Sequence, residues 1–368
     1  MIRVLHDLSA LDGGGDAKLL YSYYSNMDRE KVHFDFIVYD FYDNGMLEDP
    51  LREMGSSIYH IPRIRRDIKG YLKGMEKVIA EGNYDVVHSH MGGRGLFAMY
   101  FAKKHGVKRR FVHSHVAYEP VSKLKRCFDI MLAKTAAFFA TDLFACGVEA
   151  GKYMWGKKAV NRGKVKIMTN AIDTKTFAFD PWMREEKRRE LGVDNQFVVG
   201  IVGRLETQKN YPYLVKVWEK VVEQKKDVVL VAVGRGPDEE AIKGQAKELG
   251  ILKHMKFLGI RDDVPKLLNA FDAFVLPSLF EGLPVVLVEA QANGLFQLVS
   301  EKVTDEIEIT DLVTFLPIGE EDCQKWADHI VDLSEKAIPR EQYAKAVADA
   351  GYDIRVEASK MCDIYCSV

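Results

Sequence analysis

Ala273-Phe-Val-Leu-Pro-Ser-Leu-Phe-Glu281-Gly-Leu-Pro-Val-Val-Leu-Val-Glu289-Ala-Gln-Ala-Asn-Gly294 is the stretch whose reading sets the architecture. Ala273 to Leu276 is a short apolar run, the pattern of a strand buried on both faces. Pro284 suits the first position of a helix and Gly294 its C-terminal stop, so Val285 to Asn293 is expected to be helical despite its β-branched content. A strand passing through a loop into a helix is the unit of an α/β fold. Glu281 then falls in the loop ahead of the helix and Glu289 inside it. The amides of Gly282 and Leu283 face outward near the helix start, where an anion is favoured.

The same grammar runs outward in both directions. Upstream, strands are expected at Val198 to Val202, Val228 to Val233 and Met255 to Phe257; downstream, at Gln297 to Ser300 and Val313 to Leu316. A second series occupies the N-terminal half: strands at Arg3 to Leu8, His33 to Tyr39, Ser57 to Ile61, Val86 to His88, Arg110 to His113, Leu143 to Cys146 and Val165 to Thr169. Helices are expected between them at Asp16 to Asn26, Met46 to Met54, Lys69 to Glu81, Arg94 to Lys104 and Ser122 to Ala140. Residues 171 to 196 break the rhythm with Asp180-Pro181 and a charged helix from Arg184 to Leu191.

The expected fold class is therefore α/β, two doubly wound Rossmann-like domains facing each other across a cleft. The N-terminal domain would span 1–173, and the C-terminal domain 174–353. The last helix, Arg355 to Cys366, has no strand after it, so 354–368 would return to the first domain as a strap. Ligands of open α/β sheets bind outside the carboxyl ends of the strands, which directs attention to the loops that follow them.

With 368 residues, 47% apolar and 29% charged, the chain has length for two domains and is neither disordered nor collagen-like. Its longest apolar stretch, Thr135 to Cys146, is interrupted by Asp142 and is too short to span a bilayer. The N-terminus lacks the apolar core of a secretory signal, so a cytoplasmic location is expected. Five cysteines without CxxC spacing argue against a disulfide framework or zinc knuckle and read as buried or inert thiols, Cys362 and Cys366 sharing one packed helix face. Residues 1 to 175 hold 28 Lys and Arg against 20 Asp and Glu, and the remainder 24 against 34. A basic half suits an anionic partner, a membrane surface or a phosphorylated ligand; the near-neutral total argues against a nucleic-acid binder.

Four loops hold unusual residues. Gly13-Gly14-Gly15 precedes a helix and allows close backbone approach to an anion, although the spacing does not make a dinucleotide fingerprint. In Gly203-Arg204-Leu-Glu-Thr-Gln-Lys209-Asn210, Arg204 can fork two phosphate oxygens and Lys209 can neutralise a developing charge. His88-Ser-His90 and His113-Ser-His115 end strand-like runs; no suitably spaced cysteine or carboxylate completes a zinc site, and His115 is the best candidate for a hydrogen-bonding group. The fourth loop holds Glu281. The basic, apolar stretch Ser122 to Lys134, with Arg63 to Lys73 and Lys103 to Arg110, is either a solvated surface or a seat on anionic lipid.

Gly203-Arg204 with Lys209, Gly234-Arg-Gly236-Pro-Asp, and Phe280-Glu281-Gly-Leu-Pro running to Glu289 resemble the family 4 nucleotide-sugar glycosyltransferases of the two-Rossmann-domain (GT-B) type. The likeness covers nearly the whole chain and includes Asn170-Ala-Ile-Asp173 at the junction. Val303-Thr-Asp-Glu306 is similar to bacterial capsular or exopolysaccharide members. The resemblance implies that Arg204 and Lys209 serve the donor diphosphate, Glu281 the sugar hydroxyls, Glu289 the ribose, and Gly203, Gly234, Gly282 and Leu283 the donor site. Gly14 and Gly15 would approach the phosphate and sugar, with His115 beside the transferred sugar. The base would lie near Leu258 to Asp262, including Arg261. The chain departs from the family at Asn170-Ala171, at Phe296 and in the Thr-Asp-Glu loop, and none of these touches the proposed diphosphate site.

By this resemblance the expected activity is retaining transfer of a hexosyl group, with UDP-sugar as donor and a saccharide or lipid-linked saccharide as acceptor, in surface polysaccharide synthesis. Catalysis would rest on His115, Lys209, Arg204 and Glu281, with no cofactor and no metal. A nucleotide-sugar 2-epimerase of the same architecture and a non-catalytic nucleotide-sugar binding module are the alternatives.

Overall fold

A computed structural model describes residues 1–12, 14–39, 45–115 and 122–367, so Gly13 of the glycine run lies outside the described residues. The chain divides into Met1–Ala171 with Asp353–Val368, and Ile172–Tyr352; the boundaries drawn from sequence spacing were 173/174 and 353/354.

The first unit runs β1 (Ile2–Asp7), α1 (Gly15–Ser25), β2 (Val32–Tyr39), α2 (Glu48–Glu53), β3 (Ile58–Ile61), α3 (Ile68–Glu81), β4 (Val86–Ser89), α4 (Leu96–Lys104), β5 (Arg109–Ser114), α5 (Lys123–Phe139), β6 (Asp142–Ala145), α6 (Val148–Trp155), α7 (Lys157–Asn161) and β7 (Val165–Ile167). Its sheet is parallel, in the order β3-β2-β1-β4-β5-β6-β7. The second runs α8 (Pro181–Leu191), β8 (Phe197–Val202), α9 (Tyr211–Gln224), β9 (Val228–Val233), α10 (Glu239–Glu248), β10 (Met255–Phe257), α11 (Val264–Ala270), β11 (Ala273–Leu276), α12 (Val285–Ala292), β12 (Phe296–Ser300), β13 (Val313–Leu316), α13 (Cys323–Leu333) and α14 (Tyr343–Val347). Its sheet, also parallel, is ordered β10-β9-β8-β11-β12-β13. Both are doubly wound Rossmann-type sheets, reversing direction beside their first strand.

Uniform burial explains the near-continuous apolar strands: every residue of Val228 to Val233 is buried. Gly200 in β8 is glycine for a packing reason, because a Cβ there would come within 2.0 Å of the Phe271 ring. The final helix, α15 (Ile354–Cys366), belongs to the first unit, where Ile354, Ala358, Met361 and Tyr365 share a core with Val4 and Phe34. Its start is capped by Asp353, which accepts from the amides of Arg355 and Val356.

Several sequence readings need correction. The charged helix begins at Pro181 rather than Arg184, because Asp180 caps it, accepting from the amides of Trp182 and Met183, and Pro181 then fits the first turn. Pro284 is the capping residue of α12 and not its first helical residue. The helix placed at Arg94 starts as a 3-10 turn over Gly92–Gly95, with α4 beginning at Leu96. The strand read to Thr169 stops at Ile167, and α6 and α7, before it, had no counterpart in the sequence reading. Cys127 and Cys366 are exposed while Cys146, Cys323 and Cys362 are buried, so Cys362 and Cys366 do not share a packed face.

Asp35, fully buried on β2, anchors the sheet edge. It accepts from the Ser57 amide at 2.7 Å, Arg3 Nη2 at 2.7 Å and the Tyr84 hydroxyl at 3.1 Å, with His33 Nε2 at 3.1 Å. Burial raises its pKa, but these partners outweigh that, and the net shift is downward. A depressed carboxylate stabilises the fold above its unfolded pKa and ceases to do so as pH falls through the folded value. Asp35→Ala is expected to cost about 3 kcal/mol at neutral pH, read from urea unfolding, with the difference from wild type shrinking in strong acid.

Candidate active site

In the second sheet the strand order reverses between β8 and β11, so the loops after these strands border one crevice. The segments singled out from the sequence meet there. Lys209 Nζ lies 2.6 Å from Glu281 Oε1, and Gln208 Nε2 donates to Glu281 Oε2 at 3.1 Å and to the Phe280 carbonyl at 3.0 Å. The Leu279 amide donates to the Gln208 carbonyl at 2.9 Å, locking loop to loop. Both charged side chains of the pair are nearly buried, 13% and 8% exposed. The lysine keeps donors beyond the one spent on Glu281. Asn210 adopts a left-handed conformation (φ 55°) at the start of α9, which asparagine tolerates.

The glycines of the adjoining turns are required by close backbone approach. Gly234 has φ 134°, and a Cβ on it would stand 2.0 Å from the Gly203 carbonyl oxygen; one on Gly236 would stand 2.0 Å from that of Leu205. The turns are knit through backbone bonds from Gly203 to Val233 at 2.9 Å, Leu205 to Arg235 at 3.1 Å and Gly234 to Gly259 at 2.8 Å. On Gly203, a Cβ would come within 3.0 Å of Lys209 Cε, so glycine there lets the lysine stem cross the loop toward Glu281.

The other expected residues are distributed around this centre. Arg204 is open to solvent, its side chain 67% exposed and Nε 3.7 Å from Glu206. Gly282 and Leu283 lead into α12, capped at Pro284, and Glu289 sits half-buried within that helix. Leu258 donates its amide to Ala232 at 2.9 Å. The Arg261 guanidinium is already engaged, forking Asp263 at 2.7 and 2.8 Å and reaching Glu190 at 2.9 Å. Those hydrogen bonds raise the Arg261 pKa and lower that of Asp263.

In the first unit the reversal lies between β1 and β4, which puts the loops of Gly14 and of His90 at its crevice. Gly14 caps α1 with its amide on Asp12 Oδ1 at 3.0 Å, and a Cβ on Gly15 would meet nothing within 4 Å. The four histidines of the β4 and β5 ends are joined by a fifth, His6, which the sequence reading passed over. The sheet register pairs His6 with His88. His6 Nδ1 lies 3.0 Å from His90 Nε2, His90 Nδ1 lies 3.0 Å from His115 Nε2, and His88 Nδ1 lies 2.8 Å from the Tyr365 hydroxyl. Two triads, His6/His88/His90 and His90/His113/His115, bring ligand atoms within 4.8 Å of one another. Among the described residues no carboxylate or thiol joins either triad, so a divalent ion there would hold its charge in a core of neutral rings. Burial lowers the pKa of all five, that of His6 to about 3.

Two Rossmann-type units of this kind are also found in the crystal structure of HepE from Anabaena in complex with UDP, which superposes with a TM-score of 0.80 at 20% identity over 100% of both chains. That likeness establishes the GT-B fold. Residues 183–349 match the family described as glycosyl transferases group 1. Across 370 residues the chain is 30% identical to EpsF of Bacillus subtilis, named as a glycosyltransferase, covering 99% of this chain and 96% of EpsF. It is 29% identical over 274 residues to the Escherichia coli UDP-Gal:alpha-D-GlcNAc-diphosphoundecaprenol alpha-1,3-galactosyltransferase, covering 70% and 69% of the two chains. The chain belongs to the group 1 glycosyltransferases.

The histidine cluster makes the fold acid-sensitive. A histidine whose folded pKa lies below its unfolded value of 6.5 takes up a proton more readily in the unfolded chain, so stability falls as pH drops below about 6.5. His6 alone is expected to cost on the order of 2 kcal/mol at pH 5 relative to neutral pH. The urea midpoint should be lower at pH 5 than at pH 7.5, and His6→Phe should flatten that dependence.

Proposed function

We propose that this glycosyltransferase moves a hexosyl group from a UDP-sugar to a saccharide or lipid-linked saccharide acceptor in surface polysaccharide synthesis, with retention of anomeric configuration. The observation that carries the reading is the Lys209–Glu281 pair at the strand-order reversal of the second sheet, beside the start of α12. A lysine cation, the solvent-facing Arg204 and the positive end of the α12 dipole suit a diphosphate. Glu281 orients the lysine and offers its acceptor oxygens to sugar hydroxyls. Glu289 accepts from the ribose, and the backbone near Leu258 takes the base. Gly14, Gly15 and His115 of the first unit serve the phosphate and the transferred sugar. HepE was crystallised with UDP, and the Escherichia coli relative is named for a UDP-sugar and a diphosphoundecaprenol acceptor; both favour this donor and acceptor class.

In the proposed step the bond between the anomeric carbon and the diphosphate oxygen breaks while the acceptor oxygen bonds to the same face of that carbon. The acceptor's proton passes to the departing diphosphate. Lys209, Arg204 and the α12 amides stabilise the charge that grows on that leaving group, which is worth most where water is excluded. These groups supply the positive charge, and the proposal assigns no metal to the step.

The acceptor class bears on a second feature. On α5, Leu124, Phe128, Met131 and Phe138 are 82%, 54%, 54% and 73% exposed, while Ala133 and Ala136 are buried on the opposite side. Steps of four, three and seven residues put the exposed four in one stripe. Lys125 and Lys134 are exposed alongside, and Lys103 Nζ sits 4.9 Å from the Phe138 ring centre. An apolar stripe edged by lysines in the basic half of the chain fits an anionic bilayer surface. Among the described residues no helix is long and apolar enough to cross a membrane.

Two experiments test these readings. Thermal shift against UDP, GDP, ADP and their sugars should single out UDP ligands, with about 2.7 kcal/mol of stabilisation at a hundredfold excess over Kd. Glu289→Ala should then weaken nucleotide binding tenfold or more, and Lys209→Ala should lower kcat more than it weakens binding; normal turnover in both would overturn the site assignment. In vesicle co-sedimentation, Phe128→Ser with Phe138→Ser should abolish most binding to vesicles containing phosphatidylglycerol. Binding that persists in the variant, or that is equal on phosphatidylcholine alone, would overturn the membrane seat.

A further inference from the structure

We propose that His6, His90 and His115 form a hydrogen-bonded imidazole wire that forces all three rings into one common tautomer, so that the nitrogen of His115 that carries its proton is tied to the tautomers of His90 and His6. A neutral imidazole has one N–H and one lone pair. His90 spends both nitrogens on other imidazoles, Nε2 on His6 Nδ1 and Nδ1 on His115 Nε2, each at 3.0 Å. If His115 is protonated on Nδ1, its Nε2 accepts, His90 donates from Nδ1, and His6 donates from Nδ1. If His115 is protonated on Nε2, each ring in turn is protonated on Nε2. Any mixed arrangement sets two hydrogens or two lone pairs against each other at hydrogen-bond distance. Two states remain, all Nδ1–H or all Nε2–H.

The inner end is closed. His6 Nε2 is buried with no hydrogen-bond partner, so a proton entering at His115 has no way out past His6. The ring itself is packed between Phe34 at 4.1 Å and Phe36 at 5.5 Å. The wire therefore serves to hold the three rings to a common tautomer and does not conduct protons across the sheet.

The groups facing the wire keep it neutral. His88 and His113 stand beside it on β4 and β5, His88 bonded to Tyr365 of α15 and His113 with neither nitrogen paired. An extra charge on any ring would meet these neighbours without a counterion in contact. Asp35 of β2 acts on His6 and Asp16 of α1 on His115, each favouring the charged ring, yet burial outweighs them and both histidines remain depressed. His115 is thus held as a neutral group whose tautomer follows that of His90 and His6, and those two are positioning residues for it. The consequence for turnover rests on His115 acting at the transferred sugar; the lock rests on the geometry alone.

Long-range nitrogen–proton NMR of the full chain with labelled histidine reads each ring's tautomer directly. The expected result is one tautomer shared by His6, His90 and His115, unchanged between pH 8 and 5.5. His6→Phe, which suits the phenylalanine-lined pocket, should release the far end, shifting the His90 and His115 ring nitrogens toward a tautomer average. It should also lower kcat several-fold at little change in KM and add a limb near pH 6 to the kcat profile. His90→Leu should do the same more strongly. Different tautomers among the three rings in the wild type, or ring shifts unmoved by His6→Phe, would overturn the wire. Ring shifts that move as expected while kcat and its pH profile stay unchanged would support the wire and overturn the role of His115 at the sugar.

Discussion

A parallel sheet whose strand order reverses beside its first strand leaves two neighbouring loops with no crossover helix packed between them, and the chemistry of this protein depends on that gap. It occurs once in each sheet, between β1 and β4 and between β8 and β11. The connections out of these strand pairs leave toward opposite faces, so the backbone there is open at the carboxyl ends of the strands. Every residue drawn together in the second unit, from Gly203 and Lys209 to Glu281, is carried by a loop on one side of such a gap.

What fills the two gaps differs in kind. The second unit presents charge and backbone: a nearly buried lysine held by a glutamate, a helix start, and turns pressed so close that side chains on Gly234 and Gly236 would collide with carbonyl oxygens. Both partners of the pair are hydrogen-bonded, Glu281 receiving Gln208 as well as Lys209, so removing either would leave a nearly buried charge uncompensated. The first unit presents neutral imidazoles in a buried stack, with four ring nitrogens of three histidines spent on one another and several left without partners. Such unpaired polar atoms cost stability and stand out where most buried polar groups are satisfied. One unit is arranged to meet anionic charge, and the other to hold uncharged hydrogen-bonding groups in fixed orientation.

The helix α15 ties the last residues of the chain to this second arrangement. Its Tyr365 reaches His88, and its apolar face completes the core around Val4 and Phe34. Loss of those residues would therefore disturb the histidines as well as the sheet, because the hydroxyl of Tyr365 is the partner of a ring in direct contact with His90.

Strand and helix alternation and the loops that matter were legible in the residues themselves, because two-sided burial leaves short apolar runs and loops declare themselves by glycine, proline and charge. Arg204, Lys209, Glu281 and Glu289 stood out as polar residues in or beside such loops. The direct contact of Lys209 with Glu281 did not, since residues so far apart in sequence meet only when β8 and β11 pair. His6 was missed for the same reason: within β1 it is one polar residue in an apolar strand, and only the register with His88 makes it part of a cluster. Arg261, assigned to the donor site through the family resemblance, has its guanidinium on Asp263 and Glu190. Local order is written in periodicity and turn chemistry, which depend on near neighbours; side-chain partnership is set by strand pairing across the sheet, which the linear order of residues leaves open until the chain is folded.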